Sequence, residues 1–396
     1  MPLPQAPHSL LAVSAFLATT LFASFSDTQA KPPSFEENAE WMRAEMARLV
    51  LNSRGELPDG RTVFFADKTK HYNLIFTRGF GYLQEWVGDL LTFEERKGYL
   101  EYLLDGQRED GCIPDRVNFK GRPIYSPGGE NKPLADHAVD NASFLASSAC
   151  LYFQDSGDIA FFRDAEPKLR RGLDFIRRAD NGLVFNPTDN PECVYGFTDI
   201  VQKTGHLLFS SVLYYKACRD MEAASEQTGV GNPAEYRRRA DLIKENIGLL
   251  WDKKSGAFFA ADEQCHQIDI WGTAFVIYHG LATKRQERKA LKFLVSEYDN
   301  YAQNGQIRHL LSPETWSDLF VDKPAGVYQN GAYWATPLNW FIPVLEKASP
   351  ELAQKTLEEC ITDFKARGIN EWVYNENVKL PGYLVSASSV YSLIRE

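Results

Sequence analysis

At 396 residues the chain is long enough for two ordinary domains or one large one. Its formal net charge of −10 argues against a phosphate-backbone partner and suits a neutral substrate, so no nucleic-acid binding is expected. Six cysteines, at 112, 150, 193, 218, 265 and 360, are scattered with no C-x-x-C, so no zinc or thioredoxin-like site is indicated, and no metal or other cofactor is called for.

In chain order, the first 26 residues carry no charged side chain, and Ser9–Phe25 is almost wholly small or apolar. With the small residues of Thr28-Gln29-Ala30 before Lys31, residues 1–30 read as a signal peptide. The expected location is therefore secreted or periplasmic, with a single catalytic domain over 31–396. The basic n-region is missing, which leaves an uncleaved anchor as the alternative, although the run is shorter than the ~20 residues of a spanning helix. No later segment could span a bilayer, so no membrane association is expected once the signal is cleaved. Secretion would permit disulfides, but the spacing selects no pairing, and buried free thiols explain the cysteines equally well. Asn141-Ala142-Ser143 is the one glycosylation sequon.

Helical periodicity dominates the rest of the chain. Apolar residues recur at three- and four-residue steps over Glu37–Leu51, Phe93–Gly106, Asp140–Phe153, Ile159–Ala179, Gly205–Glu226, Asn232–Trp251, Ile270–Leu281, Gln286–Glu297, Tyr333–Leu345 and Pro350–Arg367. Strand patterns are few and short. A loose repeat lies between the helices: turn residues, usually with Gly, precede a short extended piece at 55–60, 110–115, 180–185, 255–259, 304–307 and 368–371. The spacing suits one helical hairpin plus a decorated loop, so the expected fold is an all-α (α/α)6 toroid of six hairpins. No linker interrupts 31–396, which favours one domain. An open α-solenoid would have a tighter period and plainer turns.

The loops are rich in aromatics beside polar tips, as in Asp269–Trp271, Trp316–Asp318, Tyr328-Gln329-Asn330, Tyr333-Trp334 and Glu371-Trp372. Sugars stack their C–H faces on rings and need paired donors and acceptors for their hydroxyls, although such aromatics also fill helical cores. Hydrolysing a glycosidic bond takes one carboxyl to protonate the leaving oxygen and a second to activate water or attack carbon. Asp199, in Tyr195-Gly-Phe-Thr-Asp199-Ile-Val-Gln-Lys203, is the first candidate; its bland alternative is a helix cap. Glu371, in a polar loop after the 350–367 helix, is the second, and Asp136, Asp140, Asp269 and Asp318 are runners-up. The Asp136-His137-Ala-Val-Asp140 set lacks a partner cluster for a metal, and His137 reads as a packed or capping residue. The G-x-S-x-G, P-loop, G-x-G-x-x-G and H-E-x-x-H signatures are absent.

These residues carry a resemblance. Phe197-Thr-Asp199 with Lys203, Tyr328-Gln-Asn-Gly-Ala-Tyr-Trp334, and Asn370-Glu371-Trp372 followed by Gly382 and Ser386-Ala387-Ser388 resemble the six-hairpin glycosidase superfamily. Thr77-Arg78-Gly-Phe-Gly-Tyr82 and Gln107–Pro114 look like its early landmarks, and the trehalase, processing α-glucosidase and amylo-α-1,6-glucosidase group is nearest. The resemblance runs in order over roughly 70–391. It implies an active-site funnel, a carbohydrate substrate and an inverting, exo-acting hydrolase of α-linked glycosides. It assigns Asp199 as general acid and Glu371 as general base, their carboxyls ~6.5–9.5 Å apart. Arg78, Asp140, Tyr195, Lys203, Trp271, Gln329, Asn330, Trp334 and Trp372 would bind substrate. Arg78 is followed by Gly79 where these relatives often carry Asp, and Lys203 stands where they often carry Arg, so the sugar stays open.

Two other functions fit the same loops. A lyase or epimerase would use a His or Tyr base with a cationic partner and lean on His137, His206 and Arg78. A non-catalytic sugar-binding protein would hold its carboxylates too far apart to share one bond.

Overall fold

The structure, a computed structural model, describes residues 34–395 except 73 and 75. The expected signal segment 1–30 lies outside the described residues. The helices are α1 Phe35–Ser53, α2 Thr77–Val87, α3 Phe93–Asp105, α4 Asn141–Ser156, α5 Ile159–Phe175, α6 Leu208–Thr228 and α7 Pro233–Asn246. They continue with α8 Ile270–Tyr278, α9 Lys284–Ser296, the single turn α10 Tyr298–Tyr301, α11 Leu338–Glu346, α12 Pro350–Arg367 and α13 Leu384–Tyr391.

The packing closes a ring. α2 packs on α4, α4 on α6, α6 on α8, α8 on α11, α11 on α13, and α13 returns to α2. Around this inner ring, α3 and α5 lie against α4, α7 against α6, α9 against α8 and α11, α12 against α11, and α1 against α13 and α12. That is the expected (α/α)6 toroid, and the closure excludes an open solenoid. Five hairpins are sequential. The sixth joins the two ends of the domain, with α13 inside and α1 outside.

The strands form seven short antiparallel pairs. They are β1 Arg54–Glu56 with β2 Thr62–Phe64, β3 Arg116–Val117 with β4 Pro123–Ile124, β5 Gly128–Gly129 with β6 Lys132–Pro133, and β7 Phe185–Asn186 with β8 Gly205–His206. The others are β9 Trp251–Asp252 with β10 Ala257–Phe258, β11 Ala302–Gln303 with β12 Gln306–Ile307, and β13 Asn370–Tyr374 with β14 Asn377–Pro381. All six turn segments of the repeat fall on the connection that comes after an outer helix, as the hairpin count expects.

The two rings differ in how the sequence writes them. Outer helices carry a buried stripe and side-chain caps: Thr92 and Glu95 form a capping box on α3, Thr283 and Gln286 another on α9, and Asn232 and Ser349 cap α7 and α12. Inner helices bury far more of their circumference, although α6 keeps Lys216, Arg219 and Asp220 partly exposed. In α13 every residue is buried, and α8 is buried from Ile270 to Ile277. Small residues let the inner helices approach: a Cβ on Gly81 of α2 would lie 2.8 Å from the Phe144 ring of α4.

Two inner helices, α2 and α13, were not among the expected elements: Gly79 and Gly81 weaken the helix propensity of α2, and in α13 full burial removes the stripe while its serines weaken propensity. Several expected ends also move. The 205–226 helix starts at Leu208 because Gly205–His206 pairs with Phe185–Asn186, and the 333–345 helix starts at Leu338, since Tyr333 and Trp334 make bridges to Val373 and Ile307. The six cysteines are buried free thiols. Asn141 of the sequon is buried, its amide donating to Ile113 O at 3.2 Å, so the sequon is closed to a glycan. No helix of the described residues is long and apolar enough to cross a membrane.

The seam between α1 and α13 gives a stability prediction. Met46 on α1 is fully buried. Met46→Ala should lower the unfolding free energy by about 2–5 kcal/mol, measured by chemical denaturation.

Candidate active site

The chemistry collects in loops that lead into inner helices: Asp140 before α4, Asp199 before α6, Asp269 before α8, Gln329 before α11, and Glu371 and Tyr383 before α13. A cavity of about 810 Å³ opens among them, and its wall includes Asp199, Glu371, Arg78 and Trp372. The two carboxyls nominated from sequence, far apart along the chain, thus face one hollow.

Glu371 stands on β13. The turn out of α12 is fixed by Asn370, whose amide donates to Arg367 O (3.1 Å) and Gly368 O (2.7 Å). The Tyr72 hydroxyl donates to Glu371 Oε1 at 2.9 Å. Tyr72 is presented by Asp67, a buried carboxylate that accepts from the N–H groups of Thr69 (2.9 Å), His71 (3.2 Å) and Tyr72 (3.1 Å) and from the Thr69 hydroxyl. Burial pushes the Glu371 acid up to about 8; the Tyr72 bond opposes the shift and the Asp199 charge adds to it.

Asp199 comes after the 3-10 turn Gly196–Thr198. It does not cap α6, which begins at Leu208 with no side-chain cap. Its Oδ1 accepts from the Gln329 amide and from the Tyr328 hydroxyl at 3.2 Å. Gln329 is a clamp: its Nε2 also donates to Gly196 O (3.2 Å), and its Oε1 accepts from Ile200 N (3.0 Å). Tyr328 sits at φ +55°, a strained backbone for a bulky residue. Burial raises the Asp199 pKa, against the Arg78 charge and the bonds from Gln329 and Tyr328. Among the described residues, no hydrogen bond joins the two carboxyls.

Arg78 closes the floor. It shares the fully buried Asp115 with Arg116, which bonds the other carboxylate oxygen at 2.7 Å, and both guanidiniums lie against the Phe76 ring. Gly196 makes room for Arg78, since a Cβ there would fall 1.5 Å from Arg78 Nε. Asp140 lies behind, accepting from Gly196 N at 3.0 Å, and burial pushes its acid up to about 6.

Of the eleven nominated residues, Asp199, Glu371, Arg78 and Trp372 line the cavity; the other seven stand behind its wall. Gln329 and Asp140 act as just described. Tyr195 is core, its hydroxyl bonded to that of Tyr82 at 2.6 Å. Trp271 is fully buried, donating to Ile307 O at 3.2 Å and stacked on His309. Trp334 is equally buried, edge-on to Phe197. Asn330 accepts from Trp316 N (2.9 Å) and donates to Lys323 O (2.7 Å). Lys203 lies beneath the Asp199 turn, bonded to Thr198 Oγ1 at 3.2 Å over the Trp316 ring, and burial lowers its pKa. The aromatic-plus-polar pattern that drew attention to Trp271, Gln329, Asn330 and Trp334 also marks the packing that holds a loop in place.

The runners-up resolve similarly. Asp269 caps α8, accepting from Gly272 N at 3.0 Å, and Asp318 accepts from Ser317 Oγ at 2.6 Å. Asp136 and His137 do gain a partner, Glu192, with donor atoms within 4.8 Å of one another. That carboxylate already accepts from the N–H groups of both residues, and Arg108 holds Asp136, so the trio clips a loop. His206 bonds Asp262, and neither it nor His137 lines the cavity. Sequence reading missed Tyr72, Arg116, Tyr328 as a carboxyl donor, and Tyr383. The visible signals were Asp67 before a Thr-Lys-His-Tyr turn, and Tyr328 beside Gln329.

The chain matches no protein-family model and no curated protein. It is similar in structure to a rhamnosidase from Klebsiella oxytoca with rhamnose bound, at TM-score 0.63 and 16% identity over 91% of this chain and 64% of that one. It is similar to a GH63 mannosylglycerate hydrolase from Thermus thermophilus in complex with glucose, at TM-score 0.60 and 16% identity over 89% of this chain and 99% of that one. A GH78 family rhamnosidase of Bacillus sp. GL1 matches at TM-score 0.60 and 16% identity, covering 91% of this chain and 35% of that one. The chain thus spans less than two thirds of both rhamnosidases and nearly all of the Thermus enzyme. At such identities the likeness is one of fold, the closed (α/α)6 toroid.

The Gly196–Arg78 contact can be tested by a double-mutant cycle. Gly196→Ala should cost about 1–3 kcal/mol by overpacking against the guanidinium. In an Arg78→Ala background most of that cost should vanish, measured by denaturant unfolding of the four proteins.

Proposed function

We propose that the chain is a glycoside hydrolase acting by general acid–base catalysis between Asp199 and Glu371, with inversion, on a short α-linked glycoside or oligosaccharide taken from its end. The observation that carries this is the pair of buried carboxyls, each held by its own tyrosine, opening on one cavity with no bond between them. Asp199 gives its proton to the leaving oxygen, while Glu371 takes one from a water that attacks the anomeric carbon on the opposite face. A volume of about 810 Å³ suits a short glycoside better than a polymer track. The fold shared with enzymes named for rhamnosides and mannosylglycerate supports a carbohydrate substrate.

The proton count supports the same reading. Two buried carboxyls in one field ionise one at a time, and an acid–base cycle needs the pair to hold a single proton. In the empty cavity the local donors favour the proton on Glu371, because Arg78, Gln329 and Tyr328 stabilise the Asp199 carboxylate. That observation favours a second reading with the roles exchanged, Glu371 as acid and Asp199 as base.

Anomeric-proton NMR across a panel of disaccharides should reveal turnover and the configuration of the first product; retention would overturn inversion. Asp199→Asn and Glu371→Gln should each lower kcat about 10²–10⁴-fold on the natural linkage while leaving the fold intact. A glycosyl fluoride needs no acid. Asp199→Asn should therefore recover activity on the fluoride and Glu371→Gln should not; the reverse pattern would establish the exchanged roles. Because the pair must keep one proton, kcat/KM should fall as pH rises above about 8, where Glu371 releases it.

A further inference from the structure

Three tyrosines line the cavity that holds the two carboxyls. Tyr72 donates to Glu371 and Tyr328 to Asp199. The third, Tyr383, is only 4% exposed, lines the same cavity, and has no hydrogen-bond partner among the described residues. Its oxygen is not among the fully enclosed unpartnered atoms, so it is open to a hydrogen-bond partner inside the cavity. Among charged groups Glu371 acts on it most strongly, with Arg78, Asp67 and Asp199 also in its field. Burial holds its pKa well above the ordinary tyrosine value, so the group stays a neutral donor and acceptor at working pH.

The backbone fixes this placement. Gly382 N and Tyr383 N both donate to Ile369 O, at 2.6 Å and 3.2 Å, and Leu384 N donates to Ala66 O at 2.9 Å. Ile369 directly precedes β13, so the strand that carries Glu371 also sets the first turn of α13 and Tyr383. Glu371 spends one oxygen on Tyr72; Oε2 has no protein partner among the described residues.

We infer that Glu371 Oε2 and the Tyr383 hydroxyl together hold the water that attacks the anomeric carbon. This rests on the hydrolase reading above and adds the second anchor that reading lacks. One O–H of the water faces Glu371 and is the proton transferred. The other O–H donates to Tyr383 Oη. A lone pair is then left pointing at the anomeric carbon; the new C–O bond forms as the bond to the aglycone breaks, and the leaving oxygen takes the proton of Asp199. Tyr383 exchanges no proton in this cycle. Its contribution is orientation, which is worth most for a small, mobile nucleophile.

The test compares wild type, Tyr383→Phe, Tyr72→Phe and Glu371→Gln on whichever glycoside of the panel is turned over, with and without sodium azide. The readout is the ratio of glycosyl azide to free sugar. That ratio does not depend on how much of a variant is folded. Tyr383→Phe should lower kcat about 10–100-fold with KM changed less than threefold, and raise the azide fraction at least fivefold, because the water has lost an anchor and azide never used it. Tyr72→Phe should move the alkaline limb of the pH profile and leave the azide fraction as in wild type. An unchanged azide ratio in Tyr383→Phe, with Glu371→Gln inactive in hydrolysis, would overturn the water-anchor role and leave the hydrolase reading standing. A wild-type protein that turns over no glycoside would remove both.

Discussion

Two carboxyls buried in one hollow repel each other and are each costly to ionise, and much of the surrounding structure meets that constraint. Water cannot solvate Asp199 and Glu371 freely, so the protein supplies fixed donors. Tyr72 serves Glu371, and Gln329 and Tyr328 serve Asp199. Each donor is itself held: Tyr72 by the Asp67 turn, Gln329 by the backbone at Gly196 and Ile200. Arg78 adds a positive charge at the floor, and its own desolvation is offset by Asp115. The result is a pair of acids that burial raises above the ordinary carboxyl range, held by geometry that a flexible loop could not maintain.

The ring explains why the loops can be so exact while their strands are so short. A two-residue strand pair has little stability of its own. Here the pairs punctuate long connections from outer to inner helices, such as 106–140 and 302–337, whose two ends are fixed by helices that closure holds in place. Gln329 reaches back to Asp199, and Tyr333 bridges to Val373, so neighbouring loops also brace one another. Residues such as Trp271, Trp334 and Lys203 belong to this bracing layer, where they set the position of the Asp199 turn without reaching the hollow.

How much of this was legible depends on which surfaces leave a mark on sequence. Outer helices such as α9 bury one stripe and carry explicit caps, so both their existence and their starts could be read. Fully buried α13 has neither stripe nor cap, and Ser386-Ala387-Ser388 read only as a landmark. Asp199 and Glu371 stood out because an acid between aromatics in a loop is unusual. Tyr72 did not, because nothing in a Thr-Lys-His-Tyr run reveals that its hydroxyl reaches a residue near the other end of the chain. The same limit explains the seven wall-backing residues: sequence shows that Trp271 and Asn330 sit in site loops, and only packing shows which way they point.

The ring's last joint has a consequence for biosynthesis. Helix α1 is made long before its partners α12 and α13, with Met42, Met46, Leu49 and Val50 among its buried apolar residues. Until those partners are made those apolar side chains have nothing native to cover them, and the contact that finishes the circle has nearly the greatest sequence separation the chain allows. Such long-range closure is slow and leaves sticky intermediates. In a newly made chain the apolar stripe of α1 therefore stays uncovered until the segments carrying α12 and α13 have also been made.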